Sequence, residues 1–382
     1  MKIAIDAYWA TYKRGIGNYI SNLLEQFYSQ DIENEYLIYC RSGLQLNHAP
    51  KNFKFITFNT YVYPVWEQLI IPSRLAIDKP DIFHAPANTG PLFLPRNIRF
   101  VLTLHDTIFL LSNLKGAPFV YQKVGRWYRQ FVTPKVAHRA DAIITVSEAS
   151  RLDILNCMKV KEEKVWVIYE SASKKFATNR TDQIKSKIKN KINITPPYIF
   201  HLGGIDLRKN TFTVLKCFSI FKRKVDTKCT LVISGLPAYM IKAYAAFSEK
   251  LNLKKDLDVV FTNFISEEDL IGLYSSAVFF LYPSRYEGFG IPLLEAMACG
   301  TPVITSKISS MPEIAGEAAI FIDPDDEESI LQAMLHLWND KGARETLIKQ
   351  GVERSKIFSW EKAAKGTLEV YGRLGAERGK ID

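Results

Sequence analysis

Two glutamates, Glu287 and Glu295, are separated by seven residues within the stretch Tyr282-Pro-Ser-Arg-Tyr-Glu-Gly-Phe-Gly-Ile-Pro-Leu-Leu-Glu-Ala-Met-Ala-Cys-Gly-Thr-Pro-Val-Ile304. The apolar run 277–281 before them reads as a strand. Gly288-Phe289-Gly290 reads as a loop able to approach a ligand closely, and Pro292 reads as the first turn of a helix that carries Glu295. This spacing puts one carboxylate ahead of a helix N-terminus and the other on its first turn. The unpaired N–H groups of that terminus favour an anion such as a diphosphate, while the carboxylates accept hydrogen bonds from sugar and ribose hydroxyls. The ligand that fits both is an activated sugar nucleotide. Taken alone, two such glutamates are also what the helix dipole selects.

The whole stretch, with its Gly-Phe-Gly and Cys-Gly-Thr-Pro-Val-Ile segments, resembles the donor-site signature of the retaining glycosyltransferases of family four. That resemblance implies the two-domain GT-B fold, with Gly288, Phe289, Gly290 and Ile291 against the donor, Glu287 on the sugar hydroxyls and Glu295 on the ribose. It runs along essentially the whole chain, densely in the second half and sparsely in the first.

The elements that must position these groups are legible in outline. At 382 residues and 47% hydrophobic content the chain suits two domains with two cores. The first half alternates strands (residues 2–6, 36–40, 53–58, 82–84, 99–104 and 142–146) with helices, and the second resumes at 198–202, 230–234, 259–262, 278–282, 302–305 and 319–322. Such alternation predicts an α/β fold of two Rossmann-like parallel sheets, each with helices on both faces. The expected boundaries are an acceptor-side domain over 1–172, joined by the closing helix at about 358–382, a basic linking segment over 173–196, and a donor domain over 197–357. In residues 173–193 seven Lys or Arg stand against Asp182 alone, and Pro196-Pro197 closes the stretch. Phe358-Ser-Trp-Glu-Lys-Ala-Ala364 resembles the family segment that crosses back onto the first domain. The two domains are expected to face each other across a cleft and to exclude water on closing.

Ligands of open parallel sheets bind outside the carboxyl ends of the strands. After the first strand comes Tyr12-Lys-Arg-Gly-Ile-Gly-Asn-Tyr19, in which Gly15 and Gly17 could bring amides to a phosphate. It is not a dinucleotide fingerprint: Ile20 stands where the third glycine belongs. The loop resembles the family's first-domain glycine loop. His105 follows Phe100-Val-Leu-Thr-Leu104 and precedes Asp106, a strand end whose match to the family implies contact with the transferred sugar. His84, at the end of Asp81-Ile-Phe-His84, and Asp106 are placed on the acceptor side. In Phe200-His-Leu-Gly-Gly-Ile-Asp-Leu-Arg-Lys-Asn210, Arg208 and Lys209 follow a strand and precede a helix, where cations neutralise charge on a departing nucleoside diphosphate. Lys209 matches the family lysine. Gly204 occupies the position of a family arginine, and Arg208 is the candidate substitute. His105, Glu287 and Lys209 are the expected catalytic set.

No cofactor is expected, and no metal: Asp256-Leu-Asp258 precedes its strand, Asp323-Pro-Asp325 resembles an ordinary family loop, and no histidine cluster joins either. Five scattered cysteines suggest neither a zinc site nor a disulfide framework. The absence of a spanning apolar run, together with an N-terminus that reads as a strand, predicts a cytoplasmic protein. The formal charge of +10 is concentrated in places. Residues 107–140 hold no acid but contain Lys115, Lys123, Arg126, Arg129, Lys135 and Arg139. Within them Val120, Val124, Trp127 and Phe131 recur at helical spacing, a basic amphipathic helix over 120–131. It is either an interfacial binder at the inner face of the plasma membrane or a helix packed on its own domain with a solvated basic side. Nucleic acid is not expected as a partner, because no binding module accompanies the charge. The partners this reading implies are a nucleotide-sugar, with GDP-mannose favoured by resemblance to bacterial mannosyltransferases carrying Arg-Lys-Asn, and a glycan or lipid-linked acceptor of surface polysaccharide synthesis. The competing classes are a sugar-nucleotide epimerase or phosphorylase, a non-catalytic glycan-binding subunit, and a basic nucleic-acid binder.

Overall fold

The computed structural model describes the chain except residues 13–14, 45–48, 112–119, 178–190, 192–193, 195, 226–227 and 379–382. Most of the expected basic linking segment therefore lies outside the described residues. The chain forms two compact units, the first comprising Met1–Leu111, Ala117–Glu170 and everything from Ser359 on, the second chiefly Ser171–Phe358.

The first unit is built on a seven-stranded parallel sheet: β1 (Lys2–Asp6), β2 (Glu35–Arg41), β3 (Phe53–Phe58), β4 (Ile82–Ala85), β5 (Arg99–Leu104), β6 (Ala142–Thr145) and β7 (Val165–Val167), in the order β3-β2-β1-β4-β5-β6-β7. Because successive side chains of a strand point to opposite faces, each strand feeds two cores. Ile3, Ile5, Tyr36 and Ile38 join one apolar cluster with Leu23 and Phe27 of the helix Ile16–Gln30 and Ala363, Val370 and Tyr371 of the last helix, Trp360–Arg378. Ala4, Leu37 and Tyr39 join the other, with Trp66, Leu75, Val132 and Val136. A sheet covered on both faces is what near-continuous apolar strands require.

The second unit repeats the plan with six parallel strands: β8 (Tyr198–Leu202), β9 (Thr230–Ser234), β10 (Val259–Phe261), β11 (Phe279–Tyr282), β12 (Val303–Ser306) and β13 (Ala319–Ile322), in the order β10-β9-β8-β11-β12-β13. One face buries Ile199, Leu231, Ile233, Phe279 and Leu281 under the helices Thr211–Lys224, Ala238–Lys250 and Glu327–Asn339. On the other face Phe200, Tyr274, Phe280 and Tyr282 form an aromatic layer, with Phe200, Tyr274 and Phe280 at centroid distances of 5.1–5.5 Å. In both sheets the winding reverses once, between β1 and β4 and between β8 and β11, and such a switch point opens a crevice beyond the strand ends.

Candidate active site

The sequence-marked residues of the second unit gather at its switch point. β8 and β11 pair directly through Ile199 with Phe279 and Phe200 with Phe280. Arg208 and Lys209 sit in the short turn Leu207–Lys209 beyond β8, and Glu287 sits in the loop beyond β11. The two loops are tied through their backbones, Arg285 N–H donating to the Arg208 carbonyl at 2.8 Å.

Glu287 is the centre of the cluster and is only 7% exposed. Its Oε1 accepts from Tyr282 OH at 2.7 Å, Ser284 Oγ at 2.7 Å and Lys209 Nζ at 2.7 Å. Its Oε2 faces Arg208 Nη1 at 2.5 Å. Lys209 Nζ also donates to Tyr282 OH. Burial alone would raise the Glu287 pKa, but the charges of Arg208 and Lys209 hold it well below the usual carboxylate range. Lys209 is pushed down to about 8, first by burial and then by Arg208, with Glu287 opposing. Burial also acts against the Arg208 charge, yet the Glu287 carboxylate raises its pKa. Glu287 thus holds two cations at the mouth of a parallel sheet, and Asp206 Oδ2 stands 3.4 Å from Arg208 Nε as a second, more exposed anion.

Tyr282, Ser284, Ser309 and Ser310 build this site and were not singled out from sequence. Ser309 Oγ and Ser310 Oγ donate to the Glu287 carbonyl at 2.7 and 3.0 Å, and Ser310 Oγ also donates to the Phe289 carbonyl at 2.6 Å. They fix the loop that presents Gly288 and Gly290. Gly290 caps the helix Ile291–Ala298 at φ 108°, a conformation that favours glycine. Pro292 occupies its first turn, but Glu295 is the fifth helical residue and lies on the second turn, a correction to the first-turn expectation. Glu295 Oε2 accepts from Tyr274 OH at 3.1 Å, and burial pushes its pKa up to about 7. Gly204 leaves room: an added Cβ would meet the Lys209 stem only at ordinary contact distance, 3.4 Å.

In the first unit, His105 at the end of β5 is 9% exposed, with Nδ1 2.9 Å from Glu170 Oε1 and Nε2 3.0 Å from the Pro86 carbonyl. Burial disfavours its charge, but Glu170 outweighs burial and the pKa is raised. Two acceptors on two ring nitrogens are satisfied together by the imidazolium, which donates at both. Glu170, beyond β7, was not marked from sequence. Asp106 accepts from Ile108 N–H at 3.1 Å in a local turn. Gly15 caps the helix Ile16–Gln30 at φ 45°. Gly17 is required by close approach, since a Cβ there would fall 1.8 Å from the Tyr12 carbonyl oxygen.

His84 does not line an acceptor surface. It is fully buried, with Nδ1 2.6 Å from Tyr371 OH and Nε2 2.7 Å from Thr103 Oγ1, and burial pushes its pKa down to about 3. It is a neutral strut between β4, β5 and the last helix. The basic helix Val120–Arg139 departs from the packed alternative over part of its length: Val124 is 58%, Trp127 68% and Phe131 49% exposed. The Val120 side chain lies outside the described residues.

Comparison with known proteins decides the family. The model described as Glycosyltransferase Family 4 matches residues 13–171, and the model Glycosyl transferases group 1 matches residues 182–354. The chain belongs to glycosyltransferase family 4. Among curated relatives of this family-4 chain, O-antigen chain mannosyltransferase B of Escherichia coli is 28% identical over 77% of this chain and 74% of its own length. The serotype-specific mannosyltransferase WbdA of Escherichia coli is 28% identical over 72% of this chain, but the match spans only 33% of that protein. Among solved structures, HepE of Anabaena in complex with UDP-glucose is 16% identical with a TM-score of 0.74, covering 98% of this chain and all of that one. The likeness is one of fold, GT-B. Among the described residues no helix is long and apolar enough to cross a membrane.

Proposed function

We propose that this family-4 glycosyltransferase moves a hexose, mannose in the favoured case, from a nucleotide-sugar to a glycan or lipid-linked oligosaccharide acceptor in surface polysaccharide synthesis, with retention of configuration. The observation that carries the proposal is the cluster of Arg208 and Lys209 on Glu287 at the switch point of the second sheet, beside the N-terminus of the helix Ile291–Ala298. The mannosyltransferase names of its relatives favour mannose, hence GDP-mannose as donor.

In this reading the reaction is limited by charge building on the departing nucleoside diphosphate. Lys209 and Arg208, fixed in advance and shielded from bulk water, offset that charge without reorganising. Glu287 keeps both cations in place and offers its remaining lone-pair capacity to sugar hydroxyls. The amides from Gly288 to Ile291 serve the phosphates or sugar, and Glu295 the ribose. His105, charged and oriented by Glu170, is assigned to the transferred sugar. The exposed Val124, Trp127 and Phe131, flanked by Lys123 and Arg129, are assigned to an anionic lipid surface.

The test is transfer itself. GDP-mannose and UDP-glucose are offered with a panel of oligosaccharide and lipid-linked acceptors, and the new linkage is read by NMR. A retained anomeric configuration from one donor supports the proposal. Conversion of the donor sugar without acceptor would make the protein an epimerase, and nucleotide binding without turnover would make it a binding subunit. Flotation with phosphatidylglycerol vesicles, lost in Trp127→Ala, checks the lipid surface.

A further inference from the structure

The first unit carries an aromatic cluster that the donor chemistry leaves unused. Trp9 and Tyr12 follow β1, Arg41 ends β2, and Tyr61 and Tyr63 follow β3, so the group gathers at the carboxyl ends of three adjacent strands. The Trp9 ring lies 5.1 Å from Tyr8, 5.4 Å from Tyr12 and 5.0 Å from Tyr63. The Arg41 guanidinium stands 4.4 Å from the Tyr61 ring centroid, 5.3 Å from Tyr8 and 5.5 Å from Tyr12, and donates to Tyr12 OH at 2.8 Å. Among the described residues no carboxylate pairs with Arg41. Gly17 explains part of the arrangement: its missing side chain lets the helix Ile16–Gln30 begin directly against the carbonyls of Trp9 and Tyr12, fixing the segment that bears both rings.

Packing does not account for the outer rings. Tyr61 is 78% exposed and Tyr12 48% exposed, so much of their apolar area stays in water and contributes little to folding. The cluster stands where parallel sheets take their ligands, and its chemistry among the described residues is mixed: flat apolar faces, phenolic hydroxyls and the Arg41 cation with several N–H donors. A pyranose ring presents the matching surfaces, a C–H face that lies on an aromatic ring and hydroxyls that pair with guanidinium and phenol. A bilayer would leave the polar groups unused.

We propose that Trp9, Tyr12, Arg41 and Tyr61 form a stacking platform for a hexopyranose residue of the glycan acceptor. The ligand class rests on the glycosyl-transfer reading above; the test does not. Mannobiose, maltose and lactose are titrated into the full chain by saturation-transfer NMR, and thermal shifts with GDP and UDP are recorded on the same samples. Wild type should transfer saturation to the ring protons of at least one disaccharide. Tyr61→Ala and Tyr12→Ala should each weaken that binding by about fivefold or more, while Tyr61→Phe, which keeps the aromatic face, retains it. Nucleotide shifts should be the same in all variants. No signal with any disaccharide, or unchanged affinity in the Tyr12→Ala/Tyr61→Ala double variant, overturns the platform. Loss of phosphatidylglycerol vesicle binding without loss of disaccharide binding overturns it too, assigning these rings to a membrane. Should the nucleotides fail to shift wild type while Tyr61-dependent disaccharide binding persists, the donor reading falls and the platform stands.

Discussion

Arg208 holds Glu287 in two ways: its Nη1 lies 2.5 Å from Glu287 Oε2 and also donates to the carbonyl of the preceding residue, Tyr286, at 2.5 Å. One side chain from the loop after β8 thus grips both the carboxylate and the backbone of the loop after β11. The cation proposed to replace the family arginine is therefore also the clamp that sets the Glu287 loop.

Glu287→Gln removes the carboxylate that contacts both Arg208 and Lys209 and leaves two partly desolvated cations with the more exposed Asp206, 3.4 Å from Arg208 Nε, as counter-charge. The expected result is a fall in kcat/KM of about 100-fold or more, the scale of losing a fixed charge-stabilising group, together with a lower Tm. Steady-state kinetics and a melting curve on the same preparation check it.

Lys209 is expected to set an alkaline limit on activity. Its folded pKa is lowered to about 8, so it is charged below that value and loses its charge as pH rises through it. Turnover should decline above about pH 8. Lys209→Arg, which stays charged throughout, should remove this limb even at reduced rate, and a pH–rate profile reads the difference.

Glu295 is expected to set an acid limit on nucleotide binding. With a pKa raised to about 7, its carboxylate ionises only above that pH. If the anion binds the ribose, nucleotide affinity should improve as pH rises through about 7, and Glu295→Gln should flatten that dependence. Titration calorimetry at pH 6 and pH 8 measures it.

Asp6, at the end of β1, is buried, accepts from Tyr8 N–H and Trp66 Nε1–H, and has a pKa raised to about 7, chiefly by burial. The folded state keeps a proton that the unfolded chain releases near pH 4, so stability falls as pH rises from about 4 to 7 and the loss is complete above that. Asp6→Asn should therefore gain in Tm relative to wild type at pH 8 compared with pH 5. An equal difference at both values would contradict the assignment.

Tyr371→Phe deprives the buried His84 Nδ1 of its partner and should cost about 1–3 kcal/mol, the range for one buried polar group left unsatisfied. Chemical denaturation measures it. His84 pairs with the last helix rather than facing an acceptor, so a change in stability is expected whatever happens to activity.

Much of the fold was legible because parallel strands buried on both faces are compact apolar runs. Residues 2–6, 53–58, 99–104, 198–202, 230–234 and 319–322 form strands with those bounds. β7 was too short to stand out, and the helical segment from Tyr63 was masked by Pro64 and Pro72 and by the widened turn Trp66–Ile70. Within the site, Glu287, Arg208, Lys209 and Gly290 could be singled out because a loop between an apolar strand and a helix start is a local pattern. Tyr282, Ser284 and Ser310 carry no such local mark, since their roles arise from hydrogen bonds made once the loops are folded. The same applies to Glu170, which lies 65 residues from the histidine it charges. His84 misled for the same reason: its strand-end position is local, whereas its burial under Tyr371 comes from a helix 287 residues away.

The central claim is that Arg208 and Lys209, held by Glu287, receive the diphosphate of a nucleotide-sugar. It is tested most directly by thermal shifts of wild type and Lys209→Met with GDP, UDP, dTDP and their sugars, with and without magnesium, because a ligand of the folded state raises Tm. A selective shift by one nucleotide, independent of magnesium and lost in Lys209→Met, is the predicted result. No shift by any nucleotide, or the same shift in both proteins, would contradict the claim.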